Sequence, residues 1–272
     1  MKIKYLGTAA YEGVPSLFCQ CRVCKQSRKL GGRNMRSRSQ TLIDENLLIE
    51  FNADTVWHYQ KYGFDWNRIC GCLITHSHSD HLYPEDIEIA AERYSHSHRA
   101  MQFYVARDGY EKIKRVADKP DCNVVVHLVE ENKRFTLGDY SVMPLKADHD
   151  PKSTPLIYSI SKEGKRVLYA HDTGYFFESV WEQLKTEKHF DLISLDCTGG
   201  LGLGGQWRND HMTFGTNLEI INRMKRERLI DDQTRIVLNH FSHNCGQTYD
   251  EMRKEIEKYG MIVSYDGLEV EF

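Results

Sequence analysis

"ITHSHSDHLYP", residues 74–84, places three histidines and one aspartate within six positions, directly after the apolar run ICGCLIT (69–75). Packing is a poor explanation of that density, because an imidazole or carboxylate is costly to bury without a partner. Both groups are the usual ligands of zinc, manganese and iron. His76 and His78 are two apart, so at a strand end both rings point to one side. Asp80 and His81 fall in the turn that follows and face back to the same point. The stretch reads as serving two ions, His76 and His78 on one, Asp80 and His81 on the other. A second His-x-His, His96 and His98 in YSHSHR, has no strand before it and no Asp-His after it, and reads as a surface feature.

A dinuclear site needs further ligands. His149 in LKADHDP, Asp172 in LYAHDTGYF and His240 at the close of IVLNH each stand at the end of an apolar strand. Around them the chain is rich in short strands. KIKYLGT (2–8) alternates, SQTLID and NLLIEF (39–51) form a hairpin about Glu45-Asn46, and MQFYV, CNVVVHLV, DYSVMPLKA, PLIYSIS, RVLYA, DLISLD (191–196) and TRIVLNH (234–240) follow. Helices are expected at PEDIEIAAERY (84–94), at FGTNLEIINRMKRERL (214–229) and at TYDEMRKEIEKYG (248–260). The last has a Thr-x-x-Glu capping box and a closing Gly260. That order predicts sheets covered by helices rather than a doubly wound fold.

The 272 residues suffice for a sizeable core, and 40% hydrophobic with 28% charged residues is ordinary for a globular chain. A net charge of −3 argues against a general nucleic-acid coat, so no DNA partner is expected. No stretch reaches the ~18 apolar residues of a membrane helix, and the N-terminus lacks a signal-peptide core. A cytoplasmic protein without membrane contact is expected. Eight cysteines then read as thiols or metal ligands rather than disulfides. Cys19, Cys21 and Cys24 in CQCRVC gather three thiolates in one loop. By themselves they leave a metal site, free thiols and a redox pair open. Cys70, Cys72, Cys122, Cys197 and Cys245 read as core or surface thiols.

THSHSDH, with His149, Asp172 and His240 in order after it, resembles the metallo-β-lactamase superfamily of binuclear hydrolases. The resemblance runs from YLGT near the start to YDGLEVEF at the end. It implies an α+β fold, the four-layer αββα sandwich, as one domain over residues 1–272. CQCRVC, NHFSH and RNDHMT narrow the likeness to PhnP-like phosphodiesterases. In those relatives three cysteines and a second histidine hold a structural zinc, which implies Cys19, Cys21, Cys24 and His243 here. A further histidine assists catalysis, which implies His211 as general acid beside Asp80. Two divalent ions in the active site, zinc, manganese or iron, are implied, with a small phosphorylated substrate cleaved by water activated between them. A homodimer is the expected assembly. Superfamily esterases, lactonases and thioesterases, tRNA 3′-processing nucleases and the non-catalytic PqqB-like carriers are the competing readings.

Three features depart from the pattern or go beyond it. Glu50 in LLIEF stands where the family usually has Asp. The glycine-rich segment 199–205 reads as a surface loop or as a lid carrying Trp207 and His211. The basic stretch before Asp44 suggests Arg36 or Arg38 as a steering charge for phosphate.

Overall fold

A computed structural model of the chain describes residues 1–96, 98–202 and 207–272. The alternation of the strands decides its architecture. In β10 (Lys165–Ala170), Val167 and Tyr169 join one apolar cluster while Leu168 and Ala170 join another. In β11 (Leu192–Asp196), Leu192 takes the first side and Ile193 and Leu195 the second. In β12 (Arg235–Asn239), Val237 faces opposite to Ile236 and Leu238. A period of two with both faces apolar requires cover on both sides.

The first cluster is the sandwich interior. It also takes Ile3 and Tyr5 of β1 (Lys2–Gly7), Ile43 of β2 (Gln40–Ile43), Leu47 and Ile49 of β3 (Leu47–Ile49) and Leu73 of β4 (Gly71–Leu73). These strands belong to the facing sheet, whose order is β14-β1-β2-β3-β4-β5-β6, with β5 Met101–Val105, β6 Val124–Leu128 and β14 Glu269–Glu271. The other sheet runs β13-β12-β11-β10-β9-β8-β7, with β7 Phe135–Leu137, β8 Tyr140–Lys146, β9 Leu156–Lys162 and β13 Ile262–Val263. Its outer face is covered by α5 (Glu178–Thr186), α6 (Phe214–Arg226) and α7 (Tyr249–Ile256) through Trp181, Ile220, Met224 and Met252. The first sheet's outer face carries Ile113 and Val116 of α4 (Arg107–Ala117), with Phe64 just after α2 (Thr55–Tyr62). The expected αββα sandwich is present. So are the 2–8 strand, the hairpin and the capping box of α7, in which Thr248 and Glu251 each hold the other's backbone N–H.

One expectation on elements is corrected, and helices α1 (Arg22–Leu30), α2, α4 and α5 are unforeseen. The helix at 84–94 is only α3 (Pro84–Ile87) and a 3-10 turn at Glu88–Ala90, after which the chain turns. Ala91 there forms a bridge with Cys122, which takes the backbone away from helical bonding. Helix α1 starts at the cysteine loop, where the Cys21 thiol accepts the N–H of Cys24 as a cap.

The strands fix where the site lies. β10, β11 and β12 are mutually parallel, so their C-terminal ends share one edge. Asp172 and His240 leave that edge with φ of 56° and 63°, and Glu50 after β3 has φ of 73°. Non-glycine residues rarely adopt this region, and where they do the surroundings must hold them.

Candidate metal centre

The sequence-predicted ligands converge. His76, His78, His149 and Asp172 form one set, and Asp80, His81, Asp172 and His240 another, with the donor atoms of each set within 4.8 Å of one another. Asp172 belongs to both. The Nε2 atoms of His76, His81 and His149 lie 3.2, 3.0 and 3.4 Å from its Oδ2. Yet His76 Nε2, His81 Nε2, His240 Nε2 and Asp172 Oδ1 are buried and make no hydrogen bond. Lone pairs turned towards one another in a buried space have no use in packing. They are what a pair of divalent cations requires, so the donor set fits the implied metals.

Each ligand ring is held by its other nitrogen. Glu50 Oε1 accepts the Thr75 hydroxyl at 2.6 Å and lies 3.1 Å from His81 Nδ1, which is 3.4 Å from the same Thr75 oxygen. That hydroxyl oxygen lies 3.0 Å from His76 Nδ1. Asp150 Oδ2 lies 3.0 Å from His78 Nε2, and the Asp210 carbonyl 3.2 Å from His149 Nδ1. Thr198 Oγ1 lies 2.8 Å from His240 Nδ1. Glu50 thus does the orienting work, its longer side chain reaching Thr75 and His81 together. Glu50→Gln is expected to lower metal affinity about 10–100-fold in a chelator competition. A change under twofold would remove Glu50 from that role.

Charge follows the geometry. Burial holds His76 down to about 3 and His149 below its ordinary value, so both rings are neutral donors. Burial acts likewise on His240 and His211, but Asp172 with Asp196 overcomes it, raising them to about 9 and about 11. Asp80 and Asp172 stay ionised despite burial, chiefly through His81 and His240 respectively. Without dications, cationic histidines balance these carboxylates; with dications bound, His240 would ligate as the neutral ring.

His211 stands in the loop before α6, with Nδ1 2.9 Å from Asp172 Oδ1 and 3.3 Å from Asp196 Oδ2. Asp196 is the residue sequence reading missed. Its position at the end of DLISLD, level with Asp172 on the same edge, was the available signal. Asp172, Asp196, His211 and His240 form a third donor group. Asp196 is poorly suited to ligation, however. Oδ1 accepts the N–H groups of Thr198 and Met212 at 3.0 and 2.8 Å, and Oδ2 accepts Asp172 N–H at 3.2 Å and the Thr198 hydroxyl at 2.9 Å. Its lone pairs fasten the His211 loop to the sheet edge.

The three cysteines meet His243 as expected. His243 Nδ1 is 3.7 Å from Cys19 Sγ and 3.6 Å from Cys21 Sγ, and all four donors lie within 4.8 Å. Tetrahedral zinc with arms of ~2.0–2.3 Å has edges of about 3.5–3.8 Å, so the set fits. Hydrogen bonds from Cys24 N–H, Cys19 and His243 outweigh burial and hold the Cys21 thiol down to about 6, while burial pushes Cys24 up to about 12. The five other cysteines are free thiols, with Cys72, Cys197 and Cys245 buried. His96 and His98 join no ligand group among the described residues. His96 is exposed and His98 is bound to the carbonyls of Ala90 and Arg99.

One further expectation changes. Arg36 is no steering charge. It is buried, stacked over Phe241 at 4.4 Å and bonded to Thr8 Oγ1 and the Ser264 carbonyl. Arg38 pairs with Asp54 at 2.9 Å. Neither lines the cavity of about 470 Å³ above the histidines. Of the glycine-rich segment, Gly199 and Gly200 are buried and tied to Met212 and Cys197 by backbone hydrogen bonds. Residues 203–205 lie outside the described residues. Among the described residues no helix is long and apolar enough to cross a membrane.

This fold, with its paired donor sets at one sheet edge, defines a metal-dependent hydrolase of the metallo-β-lactamase superfamily. Residues 54–231 match the Beta-lactamase superfamily domain, and the chain belongs to that family. It is similar in fold to a diphosphatase from the PhnP family (21% identity, TM-score 0.76, covering 100% of this chain and 97% of the other). It is likewise similar to Zn²⁺-bound PqqB from Methylobacterium extorquens (19%, TM-score 0.74, 100% of both chains). The short form of human tRNase Z is a third (17%, TM-score 0.66, 100% and 99%). A search of curated proteins gave no match.

Proposed function

We propose that the protein is a phosphodiesterase that cleaves small, including cyclic, phosphodiesters at a binuclear centre. The ligands are His76, His78, His149 and Asp172 for one ion and Asp80, His81, Asp172 and His240 for the other. Cys19, Cys21, Cys24 and His243 hold a separate structural zinc. Zinc, manganese and iron all suit the His/Asp donors. The reading extends to one domain over residues 1–272, a homodimer and a cytoplasmic setting.

When bound, the ions would polarise the phosphoryl group and bring the pKa of a water towards neutrality. The chain's own residues do the rest. Asp80, on the cavity wall beside His240, accepts a hydrogen bond from the attacking water and aims it. His211 is the observation that carries the reading. Its Nδ1 is hydrogen-bonded to Asp196 Oδ2 and lies 2.9 Å from Asp172 Oδ1, which leaves Nε2 for the substrate. From there the ring gives a proton to the departing alkoxide. A thioester, which expels a weakly basic thiolate, needs that proton far less.

The test is hydrolysis by manganese- or zinc-loaded protein of bis(p-nitrophenyl) phosphate and a five-membered cyclic phosphodiester, beside a lactone and a thioester. Faster turnover of the diesters supports the reading. Faster turnover of the carbonyl substrates, or none with metal bound, contradicts it in favour of an esterase or a carrier. His211→Ala is expected to lower turnover of an alkyl diester about 10²–10⁴-fold but that of a nitrophenyl diester far less, since nitrophenolate leaves without protonation. Equal losses on both would contradict the acid role.

A further inference from the structure

We infer that the protein docks on a bilayer surface of anionic lipid through the turn before α1 and the exposed face of that helix. Membrane contact is not expected from the sequence, and among the described residues no helix is long and apolar enough to cross a bilayer, so the contact is peripheral. Exposure is what points to it. Leu17 is 81% exposed and Phe18 is 94% exposed. They are the two central residues of a turn in which the Cys19 N–H donates to the Ser16 carbonyl at 3.2 Å. The Ser16 N–H in turn donates to Cys24 Sγ at 3.4 Å. Both side chains are thus held out in water by a turn anchored to the cysteine site. Two adjacent large apolar side chains offered almost whole to water do nothing for the core and mark a contact surface.

The charge beside the tip decides what covers it. Helix α1 buries Val23, Cys24 and Ser27, so Arg22, Lys25, Arg28 and Lys29 face solvent. Arg28 donates to the Cys19 carbonyl at 3.0 Å and to Gln20 Oε1 at 3.2 Å, which sets this basic face against the apolar turn. Arg22 pairs with Glu251 at 2.8 Å. Lys25, Arg28 and Lys29 have no carboxylate partner among the described residues. No acidic residue occurs between Glu12 and Asp44. Leu30, 56% exposed, ends the helix beside Lys29.

Large apolar side chains next to unpaired cations match an anionic lipid interface, where the tip enters the headgroup boundary and the cations meet phosphate. A second copy of the chain suits the patch badly, because a two-fold contact sets the same cations against each other. A nucleic acid would take the cations but has no place for Leu17.

The test is flotation of the zinc-loaded protein with vesicles of phosphatidylcholine alone and of phosphatidylcholine with phosphatidylglycerol. Binding to the anionic vesicles, none to the neutral ones, and weaker binding as salt is raised are expected. Phe18→Ser is expected to weaken binding about tenfold. Lys25→Glu and Lys29→Glu each weaken it at least about fivefold. All three side chains are exposed, so metal content and melting temperature stay at their wild-type values. Excess glycerol 3-phosphate leaves binding in place, since the bilayer and not a free headgroup receives the turn. No binding to anionic vesicles, equal binding to neutral ones, displacement by glycerol 3-phosphate, or unchanged binding in the variants overturns the inference. So does retention of single-stranded RNA, or a dimer that Phe18→Ser dissociates, where vesicles stay unbound. None of these measurements needs turnover, so they stand apart from the phosphodiesterase reading.

Discussion

Asp172→Asn is expected to lower turnover at least about 1000-fold and to release the ions from the histidine cluster while leaving the cysteine-bound zinc in place. Asp172 is the one residue common to both proposed ligand sets and to the third group with Asp196 and His211. Its two oxygens divide the work, Oδ2 facing His76, His81 and His149, and Oδ1 facing His211. Asparagine keeps the shape and tolerates the positive φ of 56°, so the fold survives and the effect reports on the carboxylate. It replaces one oxygen by a donor nitrogen that cannot ligate. Turnover and metal content measured together check this, and activity within tenfold of wild type would contradict the shared-ligand role.

His243→Ala is expected to remove one zinc per chain and destabilise the fold by about 4 kcal/mol, or roughly 10 °C in melting temperature. The thiolates of residues 19–24 then lose the link to the far end of the chain, and α1 loses the anchoring of its first turn. Function follows by a defined route. His243 Nε2 is 3.5 Å from Glu12 Oε1, and Glu12 also accepts the Ser242 hydroxyl, so the cavity rim is hung on the cysteine site. KM should rise more than kcat falls. Unchanged metal content and an unchanged melting point would contradict the structural site.

Much of this was legible in the chain before any coordinates. The strands announce themselves through a period of two, and residues 76–81 leave few explanations other than metal. His149, Asp172 and His240 were legible because each ends an apolar run and all follow the same cluster. Asp196 ends such a run too, but an aspartate at a strand end is common, and only the fold shows it fastening Met212 and Thr198 beneath His211. Helix α1 was hidden because a thiol, not a hydroxyl or carboxylate, caps it. The helix at residues 84–94 was overread because periodicity does not register the bridge from Ala91 to Cys122. Arg36 misled because a guanidinium near a predicted site suggests phosphate. Its actual place, over Phe241 and under Ser264, is set by contacts some 200 residues away.

The most direct measurement is anomalous diffraction from crystals of manganese-loaded protein, collected on both sides of the metal edge. Two peaks at the histidine cluster, both in contact with Asp172 and one each with His78 and His240, are the predicted result. A single peak, or a peak ligated by Asp196 and His211 in place of Asp80 and His81, would contradict the binuclear centre on which the proposed hydrolysis depends.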